Sequence, residues 1–333
     1  MSEPFLGRRP QLYQIAYSDA TWNAVPACFL ALDNRSNERP DWAEYWPIRR
    51  FLMNETLDEN ILYGFLSPRV TEKLQCSAEE IQAFVASAAE NIDFVAFSPY
   101  IDLRALFRNV FEQGEFMHPG HMDICCRVVK DILPGVDLRN LVNTVENAVY
   151  CNYFAAKPRF WRKWLAICER IFALSESPKN PLAARLNRAQ VHSAKAQEKV
   201  FVIERVASLL LATSSEFNCT ALPQSTFSGV FPDLSIDSIE TLQSLKSQAA
   251  LQRSALPNAF FQTQDTILNG ATAIDVRRMI LATSLEKGIV RAPSAGYERW
   301  GGPPAGMLFA RGQISAAQFL KSFFSRQWRR SAS

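Results

Sequence analysis

Histidine and glycine are scarce in this chain, with three histidines (His118, His121, His192) and 13 glycines among 333 residues. No H-E-x-x-H and no C-x-x-C is present, so the compact zinc-binding and dithiol patterns are excluded. The glycines form neither G-x-G-x-x-G nor G-x-x-x-x-G-K-[ST], which removes the two common phosphate cradles, and no G-x-S-x-G elbow offers a nucleophilic serine. Long apolar runs are missing too, since nothing approaches the ~18 residues of a membrane span. Charge of one sign is absent: 36 Lys+Arg against 33 Asp+Glu leave +3. That balance argues against nucleic acid as a partner, because phosphate backbones demand a concentrated basic face. The seven cysteines are odd in number and scattered apart from Cys125-Cys126, which argues against a disulfide framework and for a reducing compartment. The first residues, Met1-Ser-Glu-Pro-Phe-Leu-Gly-Arg-Arg, carry no apolar signal core, so a cytoplasmic chain is expected.

The chain does have the composition of a packed protein, 48% apolar and 21% charged, in a length that allows two domains or one large α/β unit with an annex. Short apolar runs at Leu12 to Tyr17, Ile61 to Leu66 and Phe94 to Phe97 alternate with helix-like segments, the spacing of βαβ units. Ser77 followed by Glu80, with Ile81, Phe84 and Val85 behind, reads as a capping box opening an amphipathic helix. Further helices are expected at Asp41 to Met53, Leu103 to Gln113, Met122 to Ile132, Leu138 to Tyr150, Pro158 to Leu174 and Leu182 to Leu211. From Asn218 to Ala255 the text is rich in Ser, Thr and Pro, so a loop or weakly ordered connection is expected there.

In open α/β sheets, ligands bind beyond the carboxyl ends of the strands. Those ends carry Tyr17-Ser-Asp, Ser67-Pro-Arg69 and Ser98-Pro-Tyr-Ile-Asp102. Ser-Pro exits also have a plain explanation, because proline stops strand pairing and serine begins turns. His118-Pro-Gly-His121-Met-Asp123 reads either as a turn into a helix or as a polar active-site loop.

Three segments together resemble bacterial nucleotide-sugar-dependent glycosyltransferases of the GT-A type, in particular those of capsule and O-antigen clusters. They are Asn37-Glu-Arg-Pro-Asp-Trp-Ala-Glu-Tyr-Trp-Pro-Ile-Arg-Arg with Tyr63-Gly-Phe-Leu-Ser-Pro-Arg69, then Val149-Tyr-Cys-Asn-Tyr-Phe to Leu165, then Phe201-Val-Ile-Glu-Arg-Val. The resemblance implies a GT-A-like, Rossmann-related mixed sheet flanked by helices over residues 8–215. A mainly helical C-terminal extension would follow over 216–333. It implies sugar transfer from a nucleotide-sugar donor to a glycan or lipid-linked glycan acceptor in surface polysaccharide synthesis; a non-catalytic nucleotide-sugar or glycan-binding scaffold is the alternative.

The expected donor-binding residues are Tyr17, Arg49, Ser67, Arg69, Ser98, Asn152 and Arg205. His118 and His121 are expected at the acceptor, and Asp102 and Glu204 as catalytic carboxylates. The Asp-x-Asp motif by which the family usually holds a divalent cation (Mg or Mn) is missing, and Asp102 is the nearest metal ligand. Arginines can neutralise a leaving diphosphate in its place. Asn152 sits in a strongly apolar stretch where an amide must find partners, while Arg49 and the pair Glu204-Arg205 read equally as structural charges. The tail, Ile314 to Trp328, combines an aromatic stripe of Phe319, Phe323 and Trp328 with neighbouring arginines. It is expected either to dock on the body or to rest at an anionic membrane surface on the inner face of the membrane.

Overall fold

A computed structural model describes residues 9–88, 90–190, 193–222, 231, 234–270 and 272–277. Its sheet begins with β1 (Gln11–Ala16) and β2 (Leu30–Asp33), followed by β3 (Tyr63–Leu66), β4 (Phe94–Ala96) and β5 (Phe154–Ala156). The hairpin strands β6 (Ala189–Gln190) and β7 (Ser193–Gln197) come next, and β8 (Cys219–Ala221) returns to the main sheet. The six-stranded order is β2-β1-β3-β5-β4-β8, and β6 pairs only with β7. Every neighbour in the large sheet is parallel except β5, which runs antiparallel between β3 and β4. The protein is therefore an α/β fold with a mixed sheet, Rossmann-like in its layout.

Alternation along the strands divides the core. Phe65, Phe94, Ala96 and Phe154 face one layer of helices, while Leu66, Val95, Phe97 and Ala155 face the other. The first layer includes the helix Pro158–Glu176, whose Trp161 ring lies 4.7 Å from Phe154 and 4.9 Å from Phe65. Its indole Nε1 donates to the Tyr63 carbonyl at 3.0 Å, tying helix to strand. The second layer is thinner and is covered by Val70–Leu74 and Ala78–Ala86. The Ser77–Glu80 capping box is formed as the sequence suggested, with Ser77 Oγ accepting from Glu80 N–H and Glu80 Oε2 accepting from Ser77 N–H at 2.7 Å.

Several expected elements differ. Leu138 to Tyr150 is not a helix. Its short polar side chains bond local backbone instead: Asp137 Oδ1 accepts from Arg139 N–H at 3.0 Å, and Asn147 Oδ1 from Thr144 N–H at 2.8 Å. Such bonds give the backbone an alternative to the helix. The long helix expected from Leu182 to Leu211 is three helices, Ala183–Leu186, Glu198–Glu204 and Val206–Thr213, with the β6–β7 strands inserted. Asp41 to Met53 begins as a 3-10 turn, Pro40–Trp42, and only then becomes the helix Tyr45–Asn54.

The loop expected over Asn218 to Ala255 contains β8 and a 17-residue helix, Ile236–Gln252, which buries Ile239, Leu242, Lys246 and Ala249. That helix packs against Ile101–Leu106, and its Lys246 Nζ donates to the Phe107 carbonyl at 2.6 Å. The expected boundary after residue 215 thus runs through one continuous core, since β8 completes the sheet and Leu242, Phe260 and Leu268 join the main cluster. The expected terminal helix Ile314 to Trp328 lies outside the described residues. Among those residues no helix is long and apolar enough to cross a membrane.

Candidate functional site

The carboxyl ends of β1 and β3 and the entry to β5 meet at one edge of the sheet. There Ser67 Oγ and the Tyr153 hydroxyl are 2.6 Å apart, joining the exit of β3 to the residue before β5. Ser98, at the exit of β4, is buried and accepts the Tyr150 N–H at 3.0 Å, which anchors the Tyr150–Tyr153 turn. In that turn Cys151 (φ 59°) and Asn152 (φ 54°) are both left-handed. Tyr100 (φ 63°) shares this conformation, and Ala43, the residue before Glu44, also has a positive φ of 46° but with ψ −127°. Strain of this kind costs about 1–3 kcal/mol per residue and collects where a particular side-chain aim is required.

Five charged or polar groups converge on this end of the sheet. Lys73, in the helix after β3, places Nζ 3.3 Å from Cys151 Sγ and 5.6 Å from the centre of the Tyr153 ring. Asn152 is buried, its amide favours the charged form of the Glu44 carboxylate, and among the described residues its Oδ1 has no hydrogen-bond partner. Glu204, at the end of the helix Glu198–Glu204, has a side chain 28% exposed and interacts electrostatically with both Glu44 and Lys73. Tyr17, from the exit of β1, lies within reach of the Glu44 charge. Glu44, Lys73 and Glu204 are each half-buried and act on one another electrostatically, so they form one charged cluster that stays partly open to solvent.

Desolvation is the largest influence on Glu44, and the Glu204 charge adds to it; against the opposing pull of Lys73 and Asn152 they lift its pKa to about 7. Desolvation raises Glu204 as well, opposed by Arg205 and Lys73. Burial works against the Lys73 charge, but Cys151, Tyr153, Tyr100 and Glu204 overcome it and raise its pKa, so the ammonium persists at neutral pH. The Cys151 thiol is pushed up to about 11, chiefly by burial. The cluster therefore holds one persistent cation, a carboxylate that titrates near neutrality, a second carboxylate and the neighbouring phenols of Tyr17, Tyr100 and Tyr153.

A stability consequence follows from Glu44. Its folded pKa of about 7 exceeds the ordinary 4.5, so between these values the folded chain holds more protons than the unfolded one. Stability then falls as pH rises from about 4.5 through 7 and levels off above. Urea midpoints measured across that window should show a smaller decline for Glu44→Gln than for the parent chain.

Tyr17, Ser67, Asn152 and Glu204 thus lie together, with Ser98 holding their turn in place. The other expected residues lie elsewhere or are already engaged. Arg49 forms a two-pronged bond with Glu169 (2.6 and 2.8 Å) and stacks 4.9 Å from the Phe172 ring, so it locks two helices. Arg205 is buried, donating to the carbonyls of Phe201 (2.7 Å) and Val110 (3.1 Å) where the helix breaks. Gly114 makes room for it, since a Cβ there would fall 2.8 Å from Arg205 Nε. Arg69 stands at the rim, 64% exposed, paired with Glu72 and close enough to Tyr100 and Tyr153 to act on them electrostatically.

Asp102 is wholly buried, and its Oδ2 accepts from Phe231 N–H at 2.8 Å. It influences Tyr100 from below, so it shares a neighbour with Arg69 but offers no open carboxylate. His118 and His121 are buried among helices; His121 bonds Glu198 through Nδ1 and lies 3.2 Å from Cys125 Sγ through Nε2.

Among the described residues, no three His, Cys, Asp or Glu side chains are grouped to hold a metal ion. With Asp102 enclosed and bonded to backbone, the residues do not fit a protein-held divalent cation. Sequence reasoning missed Glu44, Lys73, Cys151, Tyr100 and Tyr153, reading Glu44 as a surface charge of the tryptophan-rich helix. Lys73 had one signal, its position one helical turn beyond the Ser67-Pro-Arg exit. No family model, curated protein or solved structure matches the chain.

Proposed function

We propose that the chain is a nucleotide-sugar-dependent glycosyltransferase whose donor occupies the Glu44–Lys73–Asn152–Glu204 crevice. One observation carries the reading: an ammonium that persists at neutral pH and a carboxylate lifted to a pKa of about 7 lie in one half-buried cluster at the carboxyl end of a Rossmann-like mixed sheet. Inverting sugar transfer uses both kinds of group. Lys73 neutralises the diphosphate as the anomeric C–O bond breaks, a task of preorganised electrostatics. Glu44 takes the proton from the acceptor hydroxyl as its oxygen bonds to the anomeric carbon, and a base with a pKa near the working pH is the effective kind. Asn152, with its free Oδ1, accepts from a donor hydroxyl, and the phenols of Tyr17, Tyr100 and Tyr153 wall the site. The acceptor in this reading is a glycan or lipid-linked glycan, with the chain peripheral at the inner face of the membrane.

The test is a panel of nucleotide sugars. One donor should raise the melting temperature and be hydrolysed slowly without acceptor. Lys73→Met should weaken that donor about 10–100-fold, the size of a lost charge-assisted contact. Stabilisation without turnover on any acceptor would favour a binding or scaffold protein, and no stabilisation by any donor would end the reading.

A further inference from the structure

The helix Glu198–Glu204 brings Glu204 to the crevice at one end and, with the turn Pro40–Trp42, carries Lys199 and Asp41 to a separate groove at the other. The groove has a volume of about 540 Å³, within the range of small-molecule sites. Four charges line it, and they are already matched. Arg39 forms a two-pronged bond with Asp41 at 2.9 Å and bonds Glu176 at 2.7 Å. Lys199, with a side chain only 1% exposed, donates to Asp41 at 2.6 Å and to Asn187 at 2.7 Å and sits 4.2 Å from the centre of the Trp42 ring.

Burial works to raise Asp41, but the bonds from Arg39 and Lys199 prevail and hold it at about 2, so the pairs stay charged across the neutral range. The groove is thus electrically balanced, with two cations against two carboxylates. An anion or a cation would have to break a pair to bind, at the cost of a desolvated charge left behind. A neutral ligand with many hydroxyls would not, because each hydroxyl both donates and accepts. Gln197 lines the groove, and among the described residues its buried Oε1 has no hydrogen-bond partner, so a small side-chain turn would offer it to such a donor. Pro178, Ala183 and Ala184 supply a small apolar surface of the kind that the C–H face of a sugar ring covers.

We infer that this groove is a binding site for neutral saccharide, distinct from the crevice and independent of the reaction assigned there. The ligand hydroxyls donate to Gln197 Oε1 and to the outer carboxylate oxygens and accept from Arg39, leaving both ion pairs intact.

Saturation-transfer NMR and calorimetry on the full chain test this, with maltohexaose and chitohexaose as neutral probes and heparin and polylysine as charged ones. At least one neutral hexasaccharide should bind saturably. Ala184→Trp, an exposed position whose new ring would fill the groove, should weaken it about tenfold or more. Gln197→Leu should weaken it about fivefold, the size of one hydrogen bond, and provides the same reading should Ala184→Trp not fold. Failure of both neutral probes to bind, preference for a charged polymer, or equal affinity in the folded variants would each overturn the site. Because no nucleotide sugar enters these measurements, failure of the crevice reading and failure of this one are separately visible.

Discussion

Glu44→Gln should lower donor turnover by about 10²–10⁴-fold, the contribution of a positioned general base. The glutamine keeps the side chain's shape and its contact with Asn152 but cannot take a proton. The fold should persist, because desolvation already disfavours the Glu44 charge and the substitution removes that burden. The pH profile separates chemistry from damage. In the parent chain the rate should rise through about pH 7 as Glu44 loses its proton, and in the variant this rise should vanish together with the rate. Glu204→Gln offers a second check: its charge is the second cause lifting Glu44, so its removal should move the rise to lower pH. An unmoved profile in both variants would remove Glu44 from the reaction.

Trp161→Ala should destabilise the protein by about 3–5 kcal/mol, the usual range for a fully buried large aromatic. The side chain is 1% exposed and packs between Phe65, Phe154 and Trp164, so little can collapse into the space. Its loss also removes the indole bond to the Tyr63 carbonyl at the junction of β3 with β5. Urea denaturation reads the effect directly. Trp161→Phe, which keeps most of the apolar contact, should cost clearly less. Equal costs would show that the indole bond outweighs the packing.

How much of this was legible in the sequence depends on whether the cause was local. The Ser77 cap and the amphipathic helix behind it rest on residues within one turn of each other, and they stand as read. Asn152 was legible because an amide among apolar neighbours must be satisfied, and it became the amide of the crevice. Lys73 was not. In Val70-Thr-Glu-Lys-Leu a lysine beside a glutamate reads as a solvated surface, and only the left-handed turn at Cys151 and Asn152, 78 residues on, brings Cys151 to its ammonium. Arg49 and Arg205 carried the right charge for a diphosphate, yet Glu169 and the carbonyl of Val110 engage them first, and nothing near either arginine announces those partners. The helix Ile236–Gln252 hid in a polar text because its burial is supplied by Ile101–Leu106, more than 100 residues earlier. The antiparallel insertion of β5 is likewise a long-range event, and it carries Asn152 and Tyr153 to the end of β3.

A crystal structure of the chain soaked with the nucleotide sugar that most raises its melting temperature tests the central claim most directly. The account expects the diphosphate within about 3 Å of Lys73 Nζ, the range of a charge-assisted bond, with a sugar hydroxyl on Asn152 Oδ1 and the anomeric carbon facing Glu44. A donor bound away from the Glu44–Lys73–Glu204 crevice, or a sugar ring turned so that Glu44 cannot reach an acceptor hydroxyl, would contradict it.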